Sequence, residues 1–190
     1  MKPVTTGTED FREFLTGNFY YIDKTDFIET VFHEKVSLFT RPRRFGKTLN
    51  MSMTEKFFSV DYAGRSDLFE GMKIWKEEKF RGLQGKYPVI FLTFAGIKDT
   101  TYPSARESIC RGLEELYTRF DFLTEGELLN EKEKKYYSEV TAHMDDSTAA
   151  ASLRNLSDYL FRYYGEKAVI LLDEYDTPMQ EAYVNGYWEQ

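Results

Sequence analysis

The 190-residue chain is long enough for one domain with a sizeable core, and its 42% hydrophobic and 17% aromatic content is that of a globular, not a disordered, protein. No apolar run approaches the ~18 residues of a membrane span; the opening MKPVTTGTEDF lacks a signal-like apolar stretch, and Cys110 alone cannot form an internal disulfide, so no membrane association and a cytoplasmic location are expected. A formal net charge of -7 sets the surface as a whole against nucleic acid, so no direct nucleic-acid binding is expected and any phosphate binding must rest on a local basic cluster.

Short apolar runs alternate with segments of helical period, which is the α/β signature. Residues 9–16 and 25–34 read as two short helices, the second with Asp23 or Thr25 as cap. Val36–Thr40 is apolar and β-branched enough for a short strand. A helix follows from Thr48, with Leu49, Met53 and Phe57 four apart on one face and Phe58 beside them. Residues 61–86 carry Gly64, Gly71, Gly82 and Gly85 amid charge and predict an excursion with little regular structure.

Tyr87–Phe94 reads as a buried strand with Pro88 near its start, where a missing N–H does least harm. Residues 103–120 form an amphipathic helix presenting Ile109, Leu113, Leu116, Tyr117 and Phe120. The charged stretch 126–139 predicts a solvated helix, and Leu153, Leu156, Leu160 and Tyr164 mark another amphipathic one that Gly165 ends. Ala168–Leu172 is the most continuous apolar run, suited to a central parallel strand covered on both faces. His33 and His143 have no Cys or His at ligand spacing, so no zinc site is expected.

The order strand (Val36–Thr40), RPRRFGKT, helix is that of a phosphate-binding loop. A loop leading into a helix N-terminus aims backbone N–H groups at one spot, and the helix dipole adds positive potential there. Gly46 lets the backbone approach phosphate, Lys47 is expected to reach the β- and γ-phosphates, and the Thr48 hydroxyl to ligate Mg²⁺. Arg43 and Arg44 are candidates for phosphate contact, and Phe45 is expected to pack beneath the loop. Arg41 and Pro42 stand where the general G-x-x-x-x-G-K-[ST] pattern begins with glycine, and Arg-Pro cannot make glycine's left-handed turn. By itself Gly-Lys-Thr also suits an ordinary glycine turn with its lysine in solvent. Tyr20 and Tyr21 are candidates for an adenine pocket, with core or surface aromatics the plainer alternative.

The run AVILLDEYDTP turns the balance. Apolar residues ending in Asp-Glu make a Walker B pattern, and parallel strands deliver their C-terminal ends to the sheet edge where ligands bind. Asp173 is then the Mg²⁺ carboxylate and Glu174 the catalytic residue that polarises the attacking water, with Asp176 and Thr177 just beyond. The alternative for Asp173 is an acid that caps the next helix.

FYYIDKTDFI, LFTRPRRFGKTLNMSM, YPVIFLTFAG and AVILLDEYDTPM together resemble the AAA-ATPase-like family of bacteria and archaea, over about Thr6 to Met179. The resemblance implies a P-loop NTPase-type three-layer sandwich with a mainly parallel sheet, the acidic strand lying beside the phosphate-loop strand. It implies ATP and Mg²⁺ as cofactors, and in longer members a C-terminal PD-(D/E)xK nuclease-like domain. Residues 1–190 are expected to be one ATPase-like domain, the N-terminal part of the family's module, with later strands and a polar sensor missing and no nuclease domain.

The function expected is ATP binding, with Mg-dependent hydrolysis in the full-length protein driving or gating an attached effector. The alternative is a nucleotide-binding switch or interaction module with little turnover. An arginine finger from a neighbouring subunit would make the protein a homo-oligomer.

Overall fold

The computed structural model describes residues 3, 7–40 and 45–189, in two compact units divided at Val89. In the first, helix α1 (Phe11–Thr16) is capped by Asp10, whose carboxylate accepts from the Glu13 N–H at 2.9 Å. Helix α2 (Asp26–His33) follows, then α3 (Lys47–Phe58). α3 turns Met53, Phe57 and Phe58 inward, as their spacing predicts, and they are 0–2% exposed. Phe57 meets Phe58 and Phe69 edge-on at 5.2 and 5.0 Å, and Phe69 stacks on Phe11 at 5.6 Å. Such ring pairs add about 0.5–1.5 kcal/mol each beyond simple burial.

Expectations for two segments of this unit fail. Val36–Thr40 forms no strand: the segment is irregular, with Val36 89% and Leu38 68% exposed. A strand needs a neighbour's backbone groups to pair its own, and among the described residues the only named strands lie further along the chain. Residues 61–86 are more ordered than their glycines suggest. Short helical turns at Val60–Tyr62, Ser66–Leu68 and Ile74–Lys76 and the one-turn helix α4 (Glu78–Arg81) place Leu68, Phe69, Ile74 and Phe80 in the core.

Asp23 and Thr25 explain how part of that segment is held. Neither side chain caps α2. Asp23 accepts from the Thr25 N–H and hydroxyl and from the Lys73 N–H at 2.7–2.9 Å, and the Thr25 hydroxyl oxygen accepts from the Ile74 N–H at 3.1 Å. Burial would raise the Asp23 carboxyl, but these hydrogen bonds outweigh it and hold its pKa below the ordinary value.

The second unit carries a small parallel sheet of two strands, β1 (Val89–Thr93) and β2 (Val169–Asp173), in a mixed helix–strand fold compatible with the α/β class. Between them run α5 (Tyr102–Thr118), α6 (Glu131–Glu139) and α7 (Asp146–Tyr164), and α8 (Thr177–Asn185) follows β2. Leu113, Leu116 and Tyr117 of α5 share a core with Leu156, Tyr159 and Leu160 of α7 and with Ile90 and Leu92 of β1. Gly165 ends α7 at φ +73°, as the sequence predicts. α6 is solvated on most of its surface, yet Tyr137 is 6% exposed and donates its hydroxyl proton to the Tyr117 carbonyl at 2.7 Å.

β2 departs from the expected strand covered on both faces. Leu171 and Asp173 are buried, whereas Ile170 and Leu172 are 44% and 40% exposed. The alternation is that of a sheet covered on one side, so a continuous apolar run does not here mean burial on both.

Candidate functional site

The first group of candidate residues sits at the start of α3. Gly46 is its N-cap, with φ +76° and ψ 30°, and Lys47 and Thr48 are the first two helical residues. An ideal Cβ at Gly46 would meet nothing within 4 Å, so the position requires glycine for its left-handed backbone and not for space. The Gly46 carbonyl accepts the first helical bond, from Asn50 N–H at 2.9 Å. A glycine cap brings no side-chain acceptor to the helix's first N–H groups, the arrangement an anion exploits.

Lys47 and Thr48 are half-buried. Phe45, expected to pack, is 57% exposed. Arg43 and Arg44, like Arg41 and Pro42, lie outside the described residues.

α3 is fastened by a network that the sequence reading missed. Lys56, 3% exposed, donates to Asp10 at 2.6 Å, Ser52 at 3.0 Å and Glu55 at 3.2 Å, with the Tyr62 ring 5.2 Å away. The Ser52 hydroxyl oxygen accepts from the Phe11 N–H at 3.0 Å, so the network ties α1 to α3. Burial would lower the Lys56 ammonium's pKa, but the Asp10 hydrogen bond and the Glu55 charge outweigh that and raise it. For Asp10 burial raises the pKa, and the Lys56 hydrogen bond and charge carry it below its ordinary value. The signal was faint: Lys56 is three residues after Met53 and one before Phe57, so helical period places it beside their buried face.

Tyr21 belongs to the same core. Its ring meets Phe11 and Phe14 at 5.5 and 5.7 Å, and its hydroxyl lies 3.3 Å from the Met53 sulfur. Burial pushes its pKa up to about 12. Tyr20 is 59% exposed. The plainer reading of this pair, core and surface aromatics, describes both rings.

The second group sits at the end of β2. Asp173 is its last residue, 4% exposed, and its carbonyl accepts from the Phe94 N–H at 2.9 Å. It is not the cap of the next helix; that place is taken by Asp176. Glu174 is half-buried with φ +49°, one of two non-glycine residues at positive φ among those described. Its carbonyl accepts from Thr177 N–H at 3.0 Å and closes the turn into α8. A left-handed residue other than Gly, Asn or Asp costs about 1–2 kcal/mol, and such strain gathers at functional positions.

Gly46, Lys47 and Thr48 are thus together on one helix start in the first unit, and Asp173 and Glu174 on one strand end in the second. The chemistry of Thr48 and Asp173 suits Mg²⁺, a hard cation that takes hydroxyl and carboxylate oxygens. No group of three or more His, Cys, Asp or Glu poised for a metal occurs among the described residues. Mg²⁺ bound through nucleotide phosphates, water and one or two protein oxygens does not need one.

A family model described as "Predicted AAA-ATPase" matches residues 5–190. The chain belongs to the AAA-ATPase-like family. An uncharacterized protein in the vnfD 5′ region of Azotobacter chroococcum mcd 1 is 26% identical over 183 residues, covering 94% of this chain. The chain spans 30% of that relative's length. No solved structure matches. Membership in the AAA-ATPase-like family supports nucleotide binding, and no described helix is long and apolar enough to cross a membrane.

Proposed function

We propose that this chain is the nucleotide-binding core of a magnesium-dependent P-loop ATPase. The observation that carries the reading is Gly46 at φ +76°, capping α3 ahead of Lys47 and Thr48, in a chain of the AAA-ATPase-like family. In this reading the N-terminal N–H groups of α3 and the Lys47 ammonium hold the phosphates, joined by Arg43 and Arg44, with Phe45 at the rim of the pocket. Thr48 and Asp173 hold Mg²⁺, which neutralises developing phosphate charge when bound. Glu174 orients and polarises the attacking water, and its strained backbone fixes where the carboxylate points.

The proposal includes the finer fold. It is a P-loop NTPase-type three-layer sandwich with a mainly parallel sheet, of which β2 is one strand. Residues 1–190 then act as one ATPase-like module. Hydrolysis drives or gates an attached effector, which in longer relatives is a nuclease-like domain. A homo-oligomer with a shared arginine finger and a cytoplasmic setting complete the proposal.

Glu174→Gln supplies the test, with Mg-ATP affinity and phosphate release measured on the same samples as the parent. The reading expects affinity within about threefold of the parent, since losing water positioning spares ground-state binding, and release lowered at least tenfold. Unchanged release would remove Glu174 from the chemistry. A parent that binds ATP without releasing phosphate would make the chain a switch and not an ATPase.

A further inference from the structure

Helix α8 is apolar on two sides, and only one of them is covered. Its inner side is pinned by Ala182, 9% exposed, and by Tyr187 just past its end, 7% exposed. Both pack with Ile97 and Ala105, and the Tyr187 hydroxyl donates to the Asp99 carbonyl at 2.9 Å. Gly186 closes the helix at φ +76°. Around the other side Met179, Tyr183, Val184 and Trp188 are 44%, 78%, 77% and 57% exposed. With Asp176 and Gln180 they line one concavity of about 430 Å³.

Single exposed apolar residues are ordinary, but a contiguous set of four large ones, three on a held helix and one just past its end, marks an interaction surface. Met179–Tyr183 and Gln180–Val184 are i,i+4 pairs on one side of α8, about 8 Å from Met179 to Val184 at 1.5 Å per residue, and Trp188 carries the surface past the helix end. An apolar helical stripe can lie along such a surface.

Charge narrows the occupant. From Asp176 to Glu189 the chain has no Lys, Arg or His, and it has three carboxylates: Asp176, Glu181 and Glu189. Two copies of this face, each acidic and without a cation on α8, offer each other no charge complementarity. A partner carrying an apolar stripe between basic residues meets both the apolar surface and its rim.

We propose that the outer face of α8 is a docking surface for an amphipathic helix with basic flanks. The inference stands on α8 alone and holds whether or not the chain turns over ATP.

The test uses Trp188 as reporter, in a Trp75→Phe background so that it is the sole tryptophan. The probe is a synthetic peptide of about 18 residues with leucines at i, i+3, i+4 and i+7 and lysines elsewhere. Its controls are the same design with glutamates for lysines, and a scrambled leucine–lysine peptide. The lysine peptide is expected to give a saturable blue shift of Trp188 emission; the glutamate and scrambled peptides are expected to give none. Tyr183→Ser with Val184→Ser is expected to weaken binding at least tenfold, with circular dichroism unchanged because both residues are highly exposed. Equal binding of the glutamate or scrambled peptide, or undiminished binding by the double variant, overturns the proposal. So does concentration-dependent self-association of the parent in sedimentation that the double variant loses, since a second copy would then be the occupant.

Discussion

Replacing Glu174 with alanine and, separately, with glycine isolates the strain at the proposed catalytic position. Both changes remove the carboxylate and whatever it touches, so the two variants differ only by one methyl group and the backbone freedom it restricts. At an ordinary helix or strand position glycine is less stable than alanine by about 0.5–1 kcal/mol, because it loses more freedom on folding. At φ +49° the alanine keeps a left-handed cost of about 1–2 kcal/mol, which glycine escapes. The difference favours glycine by about 0.5–1 kcal/mol, a reversal of the usual order. Urea unfolding in a Trp75→Phe background, followed at Trp188 in the same unit as Glu174, reads it directly. With a slope of about 1–3 kcal/mol per molar urea, the glycine variant's midpoint should lie roughly 0.2–1 M above the alanine variant's. Phosphate release should be lost in both. An alanine variant more stable than the glycine variant by the usual ~0.5–1 kcal/mol would show that Glu174 carries no backbone strain, and the argument for a fixed carboxylate would fall.

The converse holds at the other end of the proposed site. Gly46→Ala, at φ +76° with open space around the new methyl, should destabilise the chain by about 1 kcal/mol and weaken nucleotide binding; a midpoint equal to the parent's would refute the conformational role. Asp10→Ala should cost about 2 kcal/mol in denaturant unfolding, less than the ~3–5 kcal/mol of a fully buried pair, because Glu55 still faces Lys56 and Asp10 is partly exposed. The pH dependence follows in sign from the same pair. Asp10, held below its ordinary 3.8, adds stability above that pH and loses it as the pH falls through the lower folded value. Lys56, raised above 10.5, adds stability below that pH and loses it as the pH climbs past the higher folded value. In Asp10→Asn the acid-side slope should flatten, as measured by melting between pH 2 and 5, and an unchanged slope would remove Asp10 from the linkage.

Much of the second unit was legible because its signals are local. The period through Ile109, Leu113 and Leu116 and the terminator Gly165 name helices that α5 and α7 realise: α5 within two residues of the expected 103–120, and α7 ending at Gly165 but starting at Asp146, well before the first marker Leu153. The run ending in Asp173 likewise marks β2. What stayed hidden depends on partners distant in sequence. Val36–Thr40 has strand composition, but composition supplies no neighbour, and its side chains lie exposed. The turns at Ser66–Leu68 and Ile74–Lys76 are too short to show a period, and they are held in part by Asp23 and Thr25 some fifty residues earlier. A continuous apolar run could not reveal that Ile170 and Leu172 would stay open. At the site, Gly-Lys-Thr and Asp-Glu were readable as motifs. The left-handed backbone of Glu174 was not, because glutamate gives no hint of positive φ.

The central claim is that the start of α3 holds the phosphates of ATP, and calorimetric titration of Mg-ATP into the parent and into Lys47→Ala tests it most directly. Loss of a charge-assisted contact costs about 1.5–3 kcal/mol, so the variant should bind about one to two decades more weakly while its unfolding midpoint stays that of the parent. Equal affinity in the two proteins, or no Mg-ATP binding by the parent, would contradict the account.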